Sequence, residues 1–343
     1  MQNNAVSLVI LKIRSTILLP FIGLVFVIAL FSILMASLSP DSLEVFLSLA
    51  NMRTVAMQTV IVGLGALGMT MVIISGGIDL SAGSVVALST VTLASVINFG
   101  ATGSATGGDW TVSPYWVILA IIFALVLSAI CGFINGSITA RFRIAPFIVT
   151  LGMMQIARGC AKWMAGNEMV RTPDNFLKNF MDPVPNPPWL FLAPGVWLLF
   201  AMAILVSIML HTTVLGRTIY ALGSSEESAR RCGIPIKKMR MIIYSFCGAF
   251  GGLAGVMQYS SLGSGSPTEA MGLELDIIAA VVMGGGSLDG GEGSALGTLM
   301  GALIMSVLRS GCVMLGVPSY FQEIMIGSII VAAVGVDRLK HKP

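Results

Sequence analysis

Ile17-Leu-Leu-Pro-Phe-Ile-Gly-Leu-Val-Phe-Val-Ile-Ala-Leu-Phe-Ser-Ile-Leu-Met-Ala-Ser-Leu38 contains no charged residue. At about 1.5 Å per residue, a helix of this length crosses the roughly 30 Å hydrocarbon core of a bilayer. Lys12 and Arg14 precede it, which also suits a secretory signal. The run is too long for a signal's apolar region and no small-residue cleavage site follows, so it reads as a retained first span. Working outward, further apolar runs lie at 55–74, 84–99, 115–140, 145–164, 195–210, 241–260, 271–285, 294–315 and 320–336. The fold expected is an all-α polytopic membrane protein of about ten transmembrane helices, a single transmembrane domain over 1–343. The runs at 84–99 and 271–285 are short, and the second carries Glu274 and Asp276. Segments of that kind need neighbours wrapped around them.

Composition supports the same solvent. Hydrophobic residues make up 56% and charged residues 10% of 343, against roughly 25% charged in a soluble domain. A water-soluble globule of this size cannot cover itself with so few charges. The 39 glycines suit close helix packing, and the 22 methionines are scattered as apolar filler. A net charge of +3 carries no nucleic-acid signal. Cys131, Cys160, Cys232, Cys247 and Cys312 show no CxxC spacing, and His211 and His341 are too few for a metal site.

Basic residues orient the chain. With the N-terminus in the cytoplasm, the inner segments hold Lys12, Arg14, Arg141, Arg143, Arg217, Arg230, Arg231, Lys237, Lys238, Arg240, Arg338, Lys340 and Lys342, whereas the outer ones hold Arg53, Lys162, Arg171 and Lys178. Both termini then come out cytoplasmic. Arg158 and Arg309 fall inside spans. The outer loop 165–194 carries Pro173, Pro183, Pro185, Pro187 and Pro188 and reads either as an ordered surface or as a plain connector.

An internal echo follows. Val72-Ile-Ile-Ser-Gly-Gly-Ile-Asp-Leu-Ser-Ala-Gly-Ser84 and Val281-Val-Met-Gly-Gly-Gly-Ser-Leu-Asp-Gly-Gly-Glu-Gly-Ser294 each end an apolar run with glycines, one Asp, and Gly-Ser opening the next span. The chain divides accordingly into repeat halves, roughly 50–165 and 241–336. Glycine-interrupted segments at matching places in two halves point to a translocation pathway.

The cytoplasmic segment 211–240 centres on Gly223-Ser-Ser-Glu-Glu-Ser-Ala-Arg-Arg-Cys-Gly-Ile234. Ser224 or Ser225 can cap a short helix with Glu226 and Glu227 in its first turn and Arg230 and Arg231 in its last. Gly233 can stop it, and Pro235 forbids continuation. A lipid-surface helix and a docking element for a cytosolic partner both fit this pattern. No G-x-x-x-x-G-K-[ST] loop, nucleophile–base arrangement or buried carboxylate–histidine chain is present. The fuel for active transport would have to come from elsewhere.

The segment Gly76–Ser84 resembles the signature of the ribose-type (sugar) ABC importer permease family. So do Tyr220–Ile234, Leu273–Leu288 and Gly297-Thr-Leu-Met-Gly-Ala302, in order, between about residues 50 and 338. Ala82 stands where the family usually has Val, and Arg309 where relatives tend to have a neutral polar residue. The resemblance implies a permease subunit of the bacterial inner membrane, carrying a monosaccharide and not itself an enzyme. The implied partners are a cytoplasmic ABC ATPase that holds ATP and Mg, a second permease subunit (identical or related) and a periplasmic sugar-binding protein. It also implies that Ser225, Glu226, Glu227, Ala229, Arg230, Arg231 and Gly233 couple the channel to the ATPase. Gly76, Gly77, Asp79, Ser81, Gln155, Gln258, Asp276 and Arg309 are the expected path or gating residues, with Ser260 as a further lining position. Arg309 would otherwise pair with Glu323 or reach toward an interface. Two rivals are a branched-chain amino acid permease of similar plan and a stand-alone secondary transporter or facilitator. The Gly-Gly-Ile-Asp-Leu-Ser run favours the sugar branch.

Overall fold

The structure is a computed structural model that describes residues 2–38, 40–103, 110–184 and 190–340. Pro185, Pro187 and Pro188 of the outer loop, the centre of the Gly100–Pro114 loop, and His341 and Lys342 lie outside the described residues. Among the described residues thirteen α-helices follow in order: α1 (Gln2–Leu38), α2 (Pro40–Phe46), α3 (Leu49–Ile74), α4 (Ala82–Phe99), α5 (Pro114–Phe142), α6 (Pro146–Ala165), α7 (Pro194–Thr212), α8 (Val214–Ser224), α9 (Glu226–Arg231), α10 (Ile236–Leu262), α11 (Leu273–Met283), α12 (Ala295–Met314) and α13 (Ser319–Lys340).

Each expected span falls on a helix. Among the described residues seven are long and apolar enough to cross a membrane: Leu18–Ser37 of α1, then α3, α4, α5, α7, α10 and α12. The first helix reaches further back than its apolar run, to Gln2. The run at 271–285 contracts to the eleven residues of α11, because Gly272 (φ +79°) and Gly284 bound it. Such a stub cannot cross alone, and it is packed against α12, α3, α13 and α4.

Burial separates a centre from a rim. The spanning window of α3 is 83% buried and that of α1 only 22%. Helix α3 is surrounded by α10, α12, α11 and α7, whereas α1 leans on α12. The tightest pairing is α5 with α10. A methyl on Gly132 would come within 2.7 Å of the Tyr244 carbonyl carbon, and one on Gly136 within 2.8 Å of Met241 Cα. Only glycine permits that approach, as expected for packing between small residues.

The loop 165–194, expected on the outer face, folds back against the end of α10 where it is described. Its strand β3 (Val170–Arg171) pairs antiparallel with β4 (Ser264–Gly265), just after α10, and a 3-10 turn follows at Phe176–Met181. Tyr259 and Ser260, at the end of α10, fasten it. The Tyr259 hydroxyl meets Thr172 Oγ1 at 2.5 Å and accepts from Asn175 Nδ2 at 3.0 Å. Ser260 Oγ donates to the Leu177 carbonyl at 2.6 Å and accepts from the Met181 N–H at 3.1 Å. On the same loop Lys178 Nζ, 2.8 Å from Asp174, holds that carboxyl below its ordinary range. A second small pair, β1 (Ala101–Thr102) with β2 (Thr111–Val112), closes the α4–α5 connection.

A candidate coupling site where three glycine-bearing turns meet

Helices α8 and α9 share one residue. Ser225, extended at φ −165°, ends α8 through its N–H to the Ala221 carbonyl and caps α9 by accepting the Ser228 N–H at 3.2 Å. Glu226 and Glu227 occupy the positive end of α9, and Arg230 and Arg231 its negative end. Each acid pairs four residues on: Glu226 with Arg230 at 2.8 Å and Glu227 with Arg231 at 2.5 Å. These pairs are exposed and add little stability. Ala229 faces inward and is buried. Gly233 (φ +81°) closes the helix, donating to the Arg230 carbonyl at 3.0 Å while Ile234 N–H reaches the Ala229 carbonyl at 3.1 Å. This is the paired-bond glycine stop.

The two echoed turns use the same stop. After α3, Gly76 (φ +77°) donates to Ile73 and Gly77 to Val72, both at 2.9 Å. After α11, Gly285 (φ +88°) donates to Val282 and Gly286 to Val281, both at 2.9 Å. Both turns then touch each other and α8. The Gly291 N–H donates to the Ile74 carbonyl at 2.8 Å. A methyl on Gly290 would lie 2.9 Å from the Gly223 carbonyl oxygen and 3.0 Å from Gly76 Cα. Tyr220 Oη donates to the Gly293 carbonyl at 2.7 Å. Burial pushes that phenol above its ordinary range and keeps it a donor.

Beyond Gly76, which is exposed, the first turn runs inward. Asp79 is buried, and its Oδ1 accepts from the Ser81 N–H at 2.9 Å and Ser81 Oγ at 2.6 Å. Asn135 Nδ2 of α5 donates to Ser81 Oγ at 3.0 Å, and Cys247 of α10 also bonds Asp79. A methyl on Gly77 would meet Tyr244 Oη of α10 at 2.6 Å. Helix α10 also reaches the coupling segment, because Arg240 binds Glu226.

The coupling residues and the first-turn residues expected from sequence are thus joined through Tyr220, Gly223, Gly290 and Gly291. The remaining expected residues stand apart. Gln155 is exposed on α6 and Gln258 half-buried on α10. Asp276, buried on α11, is ion-paired with Arg309 of α12 at 2.5 Å. The partner of Arg309 is therefore Asp276 and not Glu323, because α11 places its carboxylate directly beside α12. Ser260, expected on the path, fastens the outer loop instead. Arg240, Tyr220 and Gly223 carried no functional expectation of their own. Arg240 lies fourteen residues beyond Glu226, across a proline and a glycine, so no local spacing reveals it.

Seven helices of spanning length, joined by glycine turns to α8 and the charged α9, make a multi-pass membrane protein. A family model described as "Branched-chain amino acid transport system / permease component" matches residues 51–334, and the chain belongs to that family. It is similar to the ribose import permease protein RbsC of Escherichia coli (strain K12), 38% identical over 318 residues that cover 90% of each chain. It is 37% identical to the RbsC of Bacillus subtilis (strain 168), over 94% of this chain and 92% of that one. The fructose import permease protein FrcC of Rhizobium meliloti is 34% identical over 87% of this chain and 80% of its own. No solved structure matches the chain.

Proposed function

We propose that the chain is the permease subunit of a bacterial inner-membrane ABC importer. With a second permease subunit it forms the path for a monosaccharide, ribose-like or related, delivered by a periplasmic binding protein. Helices α1, α3–α7, α10, α12 and α13, with α11 and the segment 263–272 before it together making one crossing, give ten spans with both termini cytosolic, arranged as two halves around the echoed turns. Helix α9 seats on a cytosolic ABC ATPase, which holds ATP and its magnesium. The observation that carries this reading is the three-way contact of Tyr220–Gly223, Gly76 and Gly290–Gly293. A push on α9 passes through Ser225 to α8 and from there to both turns, and through Glu226–Arg240 to α10. Substrate class is taken from the relatives, which are ribose and fructose import permeases.

The test is uptake of radiolabelled ribose into proteoliposomes. Accumulation should require the ATPase, ATP and the binding protein together, and leucine should not be taken up. Accumulation of ribose against a gradient without any ATPase would remove the coupling reading, and uptake of leucine in its place would remove the sugar.

A further inference from the structure

Two charged side chains, Glu274 of α11 and Arg158 of α6, lie away from the coupling site, at helix positions whose rise sets them near mid-bilayer. Helix α11 ends at Met283 beside the coupling turns and starts at Leu273. Glu274 is nine residues from that end, a depth of about 14 Å at 1.5 Å per residue. Helix α6 starts at Pro146 and carries Arg158 twelve residues along, at about 18 Å. Both depths fall near the middle of a core roughly 30 Å thick. An ionisable residue there is expensive and is retained for a reason.

The surroundings give that reason a chemical form. Glu274 makes no ion pair among the described residues, and its Oε2 is shut off from solvent without a hydrogen-bond partner. That oxygen lies against Gly83, in the first turn of α4, where any methyl would strike it and come within 2.6 Å of the Ala270 carbonyl oxygen. Ser84, the next residue, is fully buried and its hydroxyl also lacks a partner. Arg158 Nη1 donates to the Pro267 and Glu269 carbonyls, at 3.2 and 2.7 Å, and the guanidinium lies within electrostatic reach of Glu274. Ala270, between these carbonyls and α11, holds a strained φ of +58°. Met271 and Leu275, on either side of Glu274, are exposed, so the start of α11 stands at an open face of the subunit, with Glu274 half-buried in it. The rest of α11 is closed off, since Asp276 is already neutralised by Arg309.

We infer that Glu274 and Arg158 form a mid-membrane transfer site that hydrogen-bonds the hydroxyl groups of the sugar in transit. The carboxylate accepts from sugar O–H groups, and the guanidinium's Nε and Nη2 donate to sugar oxygens. The site replaces the water that the solute leaves behind at the deepest point of its path. This inference rests on the monosaccharide reading above.

The complete importer, with its ATPase and binding protein in proteoliposomes, tests it. Wild-type ribose uptake examines the proposed function, and the variants examine the site. Glu274→Leu should lower ribose transported per ATP hydrolysed about tenfold or more, and Glu274→Gln, which still accepts, about threefold or less. An unchanged ratio in Glu274→Leu overturns the site. A direct measurement covers the case in which that variant fails to insert. Glu274→Cys, with Cys160 and Cys232 replaced by Ser, should react with the membrane-impermeant thiol reagent 2-sulfonatoethyl methanethiosulfonate. Ribose-loaded binding protein with ATP should slow that reaction at least threefold. No labelling in any nucleotide state, labelling that ribose does not change, or protection by leucine in place of ribose overturns the inference.

Discussion

At Gly233 the backbone takes φ +81° in open space, with no atom near enough to touch an added methyl. A Gly233→Ala change therefore meets only the left-handed backbone penalty, about 1–2 kcal/mol. It should fray the end of α9 and lower ribose transported per ATP hydrolysed while the protein's melting temperature hardly moves. Arg309 poses the opposite case. Its partner Asp276 has a side chain only 3% exposed, and stranding a buried charge by removing one partner costs about 3–5 kcal/mol. Arg309→Met should lower the thermal midpoint in detergent sharply. Adding Asp276→Leu should restore most of it, and a double variant as unstable as the single one would show that the pair is not the source. Sequence found Arg309 and its cost but offered Glu323 as partner, because the apposition of two helices is not written in the spacing along either.

Helix α10 presents Arg240, Tyr244 and Cys247 at spacings of four and three, on one face. The first holds α9 through Glu226, and the other two lie against the turn of Gly77 and Asp79. Arg240→Ala and Glu226→Ala should each reduce ribose transported per ATP, and the double variant should be no worse than the more severe single one, as for residues acting through one contact. Additive losses in that double-mutant cycle would separate them. Tyr220→Phe removes one hydrogen bond worth about 1 kcal/mol and should loosen coupling without preventing insertion. Helix α9 was fully legible in the sequence because Ser225, the flanking charges and Gly233 are local instructions. Helix α8 was missed, since the charged centre of 211–240 drew the reading toward a single helix. The contact of Gly290 with Gly223 and Gly76 was illegible for another reason: main-chain atoms of three separate segments make it, and a glycine that leaves room for such an approach does not say which segment approaches.

Across the described residues each apolar run falls on a helix, seven of which are long and apolar enough to cross a membrane, and lipid is the reason: a stretch that must bury its own backbone polar groups advertises itself. Sequence could not say which spans would be central, because both α1 and α3 are apolar enough to span and their neighbours decide which is enclosed. Gly132→Leu should drive α5 from α10 and abolish insertion or uptake altogether, as judged by the amount of folded protein recovered in detergent. Reporter fusions should place Gly233 and Lys340 in the cytosol and Gly103 and Asp182 outside, and a reversed pattern would invert the scheme. Helix α10 then has a meaning beyond its packing. Its 27 residues make one unbroken rod of about 40 Å, gripping the coupling helix at Arg240 and the outer loop at Tyr259 and Ser260. In the importer proposed above, such a rod would act like the plank of a see-saw: it cannot lower both ends at once, so a tilt that freed one mouth of the path would press the other shut, and geometry would prevent leakage without a separate latch.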